Sequence, residues 1–330
     1  MTEAKRIAIV DFDFPDSEIE ERMCAQAGIE LTVHAGRCNA EEVVRYAQGA
    51  DALISSYGDI TREALAALAP RLKVVSRTGT GVDNIDVDAA TELGIAVCNV
   101  PGYGTEVVSD HAIALALACL RRINEQDADV RRGVWDYART RPLGQVRGRR
   151  FGVVGMGAIG TAAARKAAGL GFEVVCYSRS LEPGSTTAEG YAVLSLDELL
   201  STCDVISVHT ALTPQTHHLI DERAISLMRP DAIVVNTSRG AVIDTMALAR
   251  ALKDDALWGA GLDVFEDEPL DPNHPIVKAP HTVLTPHAAY WSEESGIELR
   301  TRTCQAAIDV LRSVRPKDCL NPQVLQQAYR

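Results

Sequence analysis

The stretch Arg150–Gly160, RFGVVGMGAIG, decides how this chain is read. Phe151–Val154 form a short apolar run that suits a buried parallel strand, and Gly155, Gly157 and Gly160 follow in G-x-G-x-x-G spacing. One glycine makes a tight turn, the next lets the backbone approach a pyrophosphate, and the last packs helix against strand. The Ala-rich run Thr161–Ala168 reads as that helix, whose N-terminal N–H groups and positive dipole end face the phosphates. A lone motif of this kind is often only a flexible loop. Here a second strand, Glu173–Tyr177, follows on schedule, so the stretch reads as a dinucleotide site with Gly155, Met156, Gly157, Ala158, Ile159 and Gly160 at its centre.

Working outward, further strands are expected at Val205–His209, Ala232–Asn236, Gly259–Asp263 and Thr282–Leu284, with helices between. The same alternation runs through the first hundred residues, with strands at Lys5–Asp11, Glu30–His34, Ala52–Ser55, Leu72–Ser76 and Ile95–Cys98. Helices are expected over Ser17–Ala27, Ala40–Gln48 and Thr61–Leu68, the last with Thr61 as N-cap. Strand–helix alternation implies parallel open sheets, and two such modules make a two-domain α/β protein. Between them lies a long apolar helix, Thr105–Arg122, entered through the Pro- and Gly-containing joint Val100–Gly104. Ser295–Arg312 reads as a second long helix, and the pattern alone leaves open which module it joins.

At 330 residues the chain has length for two cores, and its net charge of −12 argues against a nucleic-acid-binding surface. The eight cysteines show no C-x-x-C and no metal-ligand spacing, so they read as reduced, small apolar packing residues, and no metal site is expected. The N-terminus reaches a charged strand end too soon for a signal peptide, and no apolar run spans a membrane. A cytoplasmic protein is expected.

Ligands of open parallel sheets bind beyond the carboxyl ends of the strands. Three strands deliver polar residues there: Thr237-Ser238-Arg239-Gly240, Glu266-Asp267-Glu268-Pro269 and Thr285-Pro286-His287. An arginine grips a carboxylate bidentately, a histidine gives or takes a hydroxyl proton near neutral pH, and a glutamate on its far ring nitrogen fixes the tautomer. Each residue has a plain structural alternative: a surface ion pair for Arg239, a solvated acidic loop for Glu268, a core histidine for His287. Together, downstream of a dinucleotide loop, they read as a catalytic trio for a substrate with a carboxylate beside a carbonyl.

With N-T-S-R-G at 236–240, L-D-V-F-E-D-E-P at 262–269 and T-P-H at 285–287 beside the glycine motif, the chain resembles the D-isomer-specific 2-hydroxyacid dehydrogenases along essentially its whole length. The resemblance implies a discontinuous, flavodoxin-like substrate-binding domain, residues 1–101 plus 293–330, and a Rossmann cofactor domain, 102–292, with a cleft between. It implies that Arg239 orients the substrate carboxylate, Glu268 pairs with the histidine and His287 is the acid–base. Backbone N–H groups at Thr80 and Gly81 would help hold the carboxylate. Val108 would pack on the nicotinamide ring and Asp263 would lie near its carboxamide. His209, Thr210, Ala211, Gln215, Thr237, Ser238, Arg239, His287 and Ala289 complete the implied cofactor contacts, and a homodimer through the cofactor domain is implied too.

Within the family, Arg77 in SRTGTGVDNID, CNVPGYGTE and HAAYWSEES are similar to the branch related to C-terminal-binding protein, a dehydrogenase-fold corepressor that binds peptides. Arg77 is read as a second substrate cation or a strand-end ion pair, and Tyr290 as part of the substrate-pocket wall or hinge packing. An NAD site wants a carboxylate after the second strand, to accept from the ribose hydroxyls. This chain places Ser178-Arg179-Ser180 there, a guanidinium and two hydroxyls suited to a 2′-phosphate. The segment is similar to NADP-preferring hydroxypyruvate and glyoxylate reductases, so NADP(H) is favoured, with NAD(H) the alternative. The expected activity is reduction of a small 2-oxo acid to its D-2-hydroxy acid. The alternatives are a cofactor-sensing, peptide-binding interaction protein and a phosphoglycerate dehydrogenase.

Overall fold

The computed structural model of the chain describes residues 4–325. The chain forms two compact units: one takes in the chain up to Tyr103 and again from Ser292 onward, the other runs Gly104–Trp291.

In the first unit, β1 (Arg6–Phe12), β2 (Glu30–Ala35), β3 (Ala52–Ser55), β4 (Val74–Arg77) and β5 (Ala96–Cys98) form one parallel sheet in the order β2-β1-β3-β4-β5. This is the doubly wound order of flavodoxin-like sheets. Alternation along β1 divides the core: Ile7 and Ile9 pack with α1 (Glu18–Ala27), while Ala8 and Val10 pack with α2 (Ala40–Ala47), α3 (Arg62–Leu68) and α4 (Val87–Glu92). Thr61 caps α3 by accepting from the Ala64 N–H at 3.3 Å.

The C-terminal helix, Glu293–Leu311, packs on the α1 face of this same sheet. Ser292 and Ser295 start it with a reciprocal capping box. Arg300, 6% exposed, donates to both oxygens of Glu20, 3% exposed, at 2.9 and 2.7 Å. Beyond the helix, the buried amide of Asn321 accepts from the Val97 N–H at 2.8 Å and donates to the Ile95 carbonyl at 2.9 Å. The position of this segment, which pattern alone left open, is therefore the first unit.

The second unit carries a parallel sheet of β6 (Arg150–Val154), β7 (Glu173–Tyr177), β8 (Ala192–Val193), β9 (Val205–Val208), β10 (Ile233–Asn236), β11 (Gly259–Leu262) and β12 (Thr282–Leu284). Their order is β12-β11-β10-β9-β6-β7-β8, so the winding reverses between β6 and β9, where a Rossmann sheet binds its ligand. One face is covered by α5 (Thr105–Arg121), with α6 (Ile123–Arg131) continuing from it, and by α7 (Ala158–Gly169). The other face is covered by α8 (Leu196–Thr202), α9 (Glu222–Ser226) and α10 (Thr245–Lys253).

Three details differ from the sequence reading. The helix after the glycine turn begins at Ala158 instead of Thr161, so part of the glycine motif is itself helical. The long apolar helix stops at Arg121 because Arg122 takes a left-handed φ of 49°, with its guanidinium 4.1 Å from the Trp258 ring centroid, and the unexpected α6 follows. The two-residue strand β8 is too short to leave a periodic signal. All eight cysteines are free, and Cys24, Cys98, Cys119, Cys176, Cys203 and Cys304 are buried. No helix among the described residues is long and apolar enough to cross a membrane.

Candidate active site

The glycine turn leaves β6 at the winding reversal. Gly155 has φ +105°, and a Cβ there would stand 2.7 Å from the His209 carbonyl oxygen. A Cβ on Gly160 would run into the Gly155 carbonyl, so α7 rests directly on the turn. A Cβ on Gly157 would meet nothing within 4 Å, and that residue caps α7 without a side-chain bond to the first-turn N–H groups. These N–H groups have no intrahelical acceptor and suit an anion.

A depression of about 270 Å³ opens here, lined by Gly155, Met156, Gly157, Tyr177, Ser178, Arg179, Ser180, His209, Thr210, Ala211, Thr216 and Leu219. Arg179 and Ser180 are exposed, and the Ser178 and Ser180 hydroxyls lie 3.1 Å apart. His209 Nε2 is 2.8 Å from the Ser207 hydroxyl, and burial pushes the imidazole down to about 4, so it is neutral. Among the described residues, His209 Nδ1 and the Thr237 hydroxyl are buried without hydrogen-bond partners. An open glycine cradle and two orphaned polar atoms fit a bound dinucleotide, whose ribose and phosphate groups bring donors and acceptors. Val108 and Ala289 are buried, at 7% and 4% exposed, while Gln215 is exposed and its neighbour Thr216 lines the depression.

The catalytic candidates follow the neighbouring strands β10, β11 and β12. After β10, the buried Asn236 amide knits the turn: its oxygen accepts from Ser238 N–H at 2.9 Å and Ser238 Oγ at 2.8 Å, and its nitrogen donates to the Arg239 carbonyl at 2.9 Å. Arg239 itself is half-buried and donates through Nη1 to the Ser238 carbonyl at 2.9 Å. After β11, Glu268 Oε1 accepts from the Phe265 N–H at 3.0 Å. Its other oxygen lies 2.7 Å from His287 Nδ1. This pairing places the Nδ1 proton on the glutamate side and leaves Nε2 as the exchanging nitrogen. The Tyr290 ring stands edge-on to the imidazole, with centroids 6.1 Å apart.

His287 holds a left-handed φ of 53°. Its turn wraps around Asp263, which is 0% exposed and accepts from Thr285 Oγ1 at 2.6 Å, Ala288 N–H at 2.8 Å and Ala289 N–H at 2.9 Å. The residue expected near the nicotinamide carboxamide thus also holds the histidine turn. The sequence reading quotes Asn236 in its N-T-S-R-G motif without giving it a role, and misses Thr216 and Leu219, which sit in a loop without periodicity.

In the first unit, Arg77 closes β4 and donates to the Thr78 carbonyl at 2.6 Å. The Thr80 hydroxyl donates to the Val100 carbonyl at 3.0 Å, and Asn99 donates to the Thr80 carbonyl at 2.7 Å, so the Thr80–Gly81 loop is fastened to the exit of β5.

Residues 113–289 match the family model for the NAD binding domain of the D-isomer specific 2-hydroxyacid dehydrogenases. The chain belongs to this family. It is 39% identical over 287 residues to a glyoxylate reductase of Korarchaeum cryptofilum, covering 86% of each chain. Among solved structures it superposes with TM-score 0.87 on the TT0316 protein of Thermus thermophilus, at 35% identity over 96% of this chain and 99% of that one. It superposes with TM-score 0.85 on an acyclic imino acid reductase (Bsp5) in complex with NADPH and D-Arg, at 28% identity over 96% and 99% of the two chains. As a member of the dehydrogenase family, the protein is an oxidoreductase with a nicotinamide-cofactor domain in its second unit.

Proposed function

We propose that this dehydrogenase reduces small 2-oxo acids, with glyoxylate and hydroxypyruvate foremost, to D-2-hydroxy acids, with NADPH as the preferred donor. The observation that carries the reading is the 2.7 Å contact between Glu268 and His287 Nδ1. It orients the ring and stabilises the imidazolium, so that Nε2 can give a proton to a carbonyl oxygen. Arg239 grips the substrate carboxylate, and Tyr290 forms pocket wall beside His287. The first unit's own substrate contacts are Arg77 and the N–H groups of Thr80 and Gly81. When bound, the nicotinamide supplies the hydride. Gly155–Gly160 cradle its pyrophosphate, with His209–Ala211, Gln215, Thr237, Ser238, Val108 and Ala289 around the rest of the dinucleotide. Asp263 serves the site by holding the histidine turn. In oxidation of the hydroxy acid, His287 Nε2 takes the hydroxyl proton instead.

The NADPH preference is supported by Ser178, Arg179 and Ser180 lining the depression beyond β7 with no carboxylate among them. Free cysteines throughout suit a reducing cytoplasm. A homodimer through the cofactor domain is supported by Ile123, Val130, Trp135 and Tyr137, which are 52%, 53%, 90% and 72% exposed on one segment. The test is NADPH and NADH oxidation against glyoxylate, hydroxypyruvate, pyruvate and a phosphorylated oxo acid. Fast NADPH-dependent turnover on the first two is expected. Tight cofactor binding with no turnover on any of the four would refute the proposal.

A further inference from the structure

We propose that His111, on α5, is a positioning residue for the acid–base histidine. It clamps the Thr285 hydroxyl so that the Asp263-centred turn presents His287 to substrate. The inference rests on the acid–base role proposed above for His287.

His111 Nε2 lies 3.0 Å from Thr285 Oγ1 and 3.6 Å from Asp263 Oδ1. The Thr285 hydroxyl has one proton, and at 2.6 Å it goes to the acceptor-only Asp263 carboxylate. Toward His111 the hydroxyl can therefore only accept, so Nε2 must carry a proton. Both the neutral Nε2–H tautomer and the imidazolium satisfy that requirement. The order of donation is then His111 to Thr285 to Asp263, and Asp263 in turn receives the N–H groups of Ala288 and Ala289.

Those two residues directly follow His287, whose own N–H donates to the Asp263 carbonyl at 2.7 Å. A non-glycine residue keeps a left-handed conformation only where its surroundings over-determine it. Here the over-determination is the Asp263 carboxylate, whose side-chain donor is held in place from α5. Without His111 the Thr285 hydroxyl keeps only its bond to Asp263, and the turn loses its tie to α5. His111 is half-buried on α5, which packs on β11 and β12, and its ring nitrogen meets the Thr285 hydroxyl there.

The experiment compares the full-length wild type with His111→Leu, His111→Gln, Thr285→Val, Thr285→Ser and His287→Ala on the 2-oxo acid that the wild type reduces fastest. His111→Leu and Thr285→Val should lower kcat about 10- to 100-fold, the scale of a misplaced catalytic group. NADPH Kd, read by fluorescence titration, and melting temperature should stay near wild type. His111→Gln, whose amide can donate in place of Nε2, and Thr285→Ser should recover most of kcat. Wild-type kcat in His111→Leu beside a slow His287→Ala would overturn the positioning role alone. His111→Gln as slow as His111→Leu would also overturn it, since packing would then be the cause. Wild-type turnover in His287→Ala would refute the acid–base reading and this inference with it.

Discussion

Replacing Glu268 by Gln keeps the size of the side chain and removes its charge, which isolates what the carboxylate does for His287. The carboxylate bridges the Phe265 N–H at 3.0 Å and His287 Nδ1 at 2.7 Å, and the glutamine can preserve one of these contacts. Unit charges about 4 Å apart at an effective dielectric of about 20 attract by about 4 kcal/mol. The two side chains are 18% and 26% exposed, so solvent screens part of that attraction. A hydrogen bond to a charged group, about 1.5–3 kcal/mol, is the better figure. At about 1.4 kcal/mol per factor of ten in rate, losing that contact should slow turnover about 10- to 100-fold. In oxidation the ring becomes charged as it takes the hydroxyl proton, so the loss falls on kcat and KM should change little. Reduction needs the charged ring as proton donor, so it should slow as well. The assay is kcat and KM in both directions, at saturating cofactor. Equal kcat for wild type and Glu268→Gln in oxidation would refute the claim that this carboxylate stabilises the charged imidazole.

Other outcomes follow from the same geometry. Arg179→Ala should lower kcat/KM with NADPH about 10- to 100-fold while leaving NADH nearly unaffected, the effect of losing one charge-assisted phosphate contact; equal losses with both cofactors would undo the 2′-phosphate role. Gly160→Ala places a methyl group against the Gly155 carbonyl, so α7 must lift from the turn; saturable NADPH binding should be lost in a fluorescence titration, and wild-type affinity would contradict the cradle. Arg300→Met strands the buried Glu20 carboxylate and should destabilise the protein by about 3–5 kcal/mol in urea unfolding; a change near zero would show that the pair is solvated.

The Rossmann module was legible because its signals are local. A strand, three glycines and a helix follow one another without interruption from Arg150 to Gly169, and the polar residues after β10, β11 and β12 come from strands that are neighbours in the sheet. The Glu268–His287 pair was reachable as chemistry, since a histidine and a carboxylate at adjacent strand ends meet if the strands pair. The rest depends on contacts distant in sequence. His111 looks like one more polar residue after Ser109 and Asp110 until β12 brings Thr285 beside it, 174 residues away. Arg122 breaks its helix through an interaction with Trp258 that no window of sequence contains. The place of the C-terminal helix is set by Glu20 and Asn321, neither of which carries a periodic signal.

That last arrangement imposes a schedule on the molecule as it is made. On the ribosome, the residues of β1 to β5 emerge first, but Ile7, Ile9, Ile54 and Val74 share their core with Cys304, Ala307, Ile308 and Leu311. The whole of Gly104–Trp291 is synthesised before those partners appear, and its cores draw on residues within that span alone. The nascent chain must therefore fold its middle before it can finish its beginning, with much of the first sheet's apolar covering still inside the exit tunnel. During translation the vulnerable part of this enzyme is its N-terminal sheet, whose apolar face stays uncovered longest.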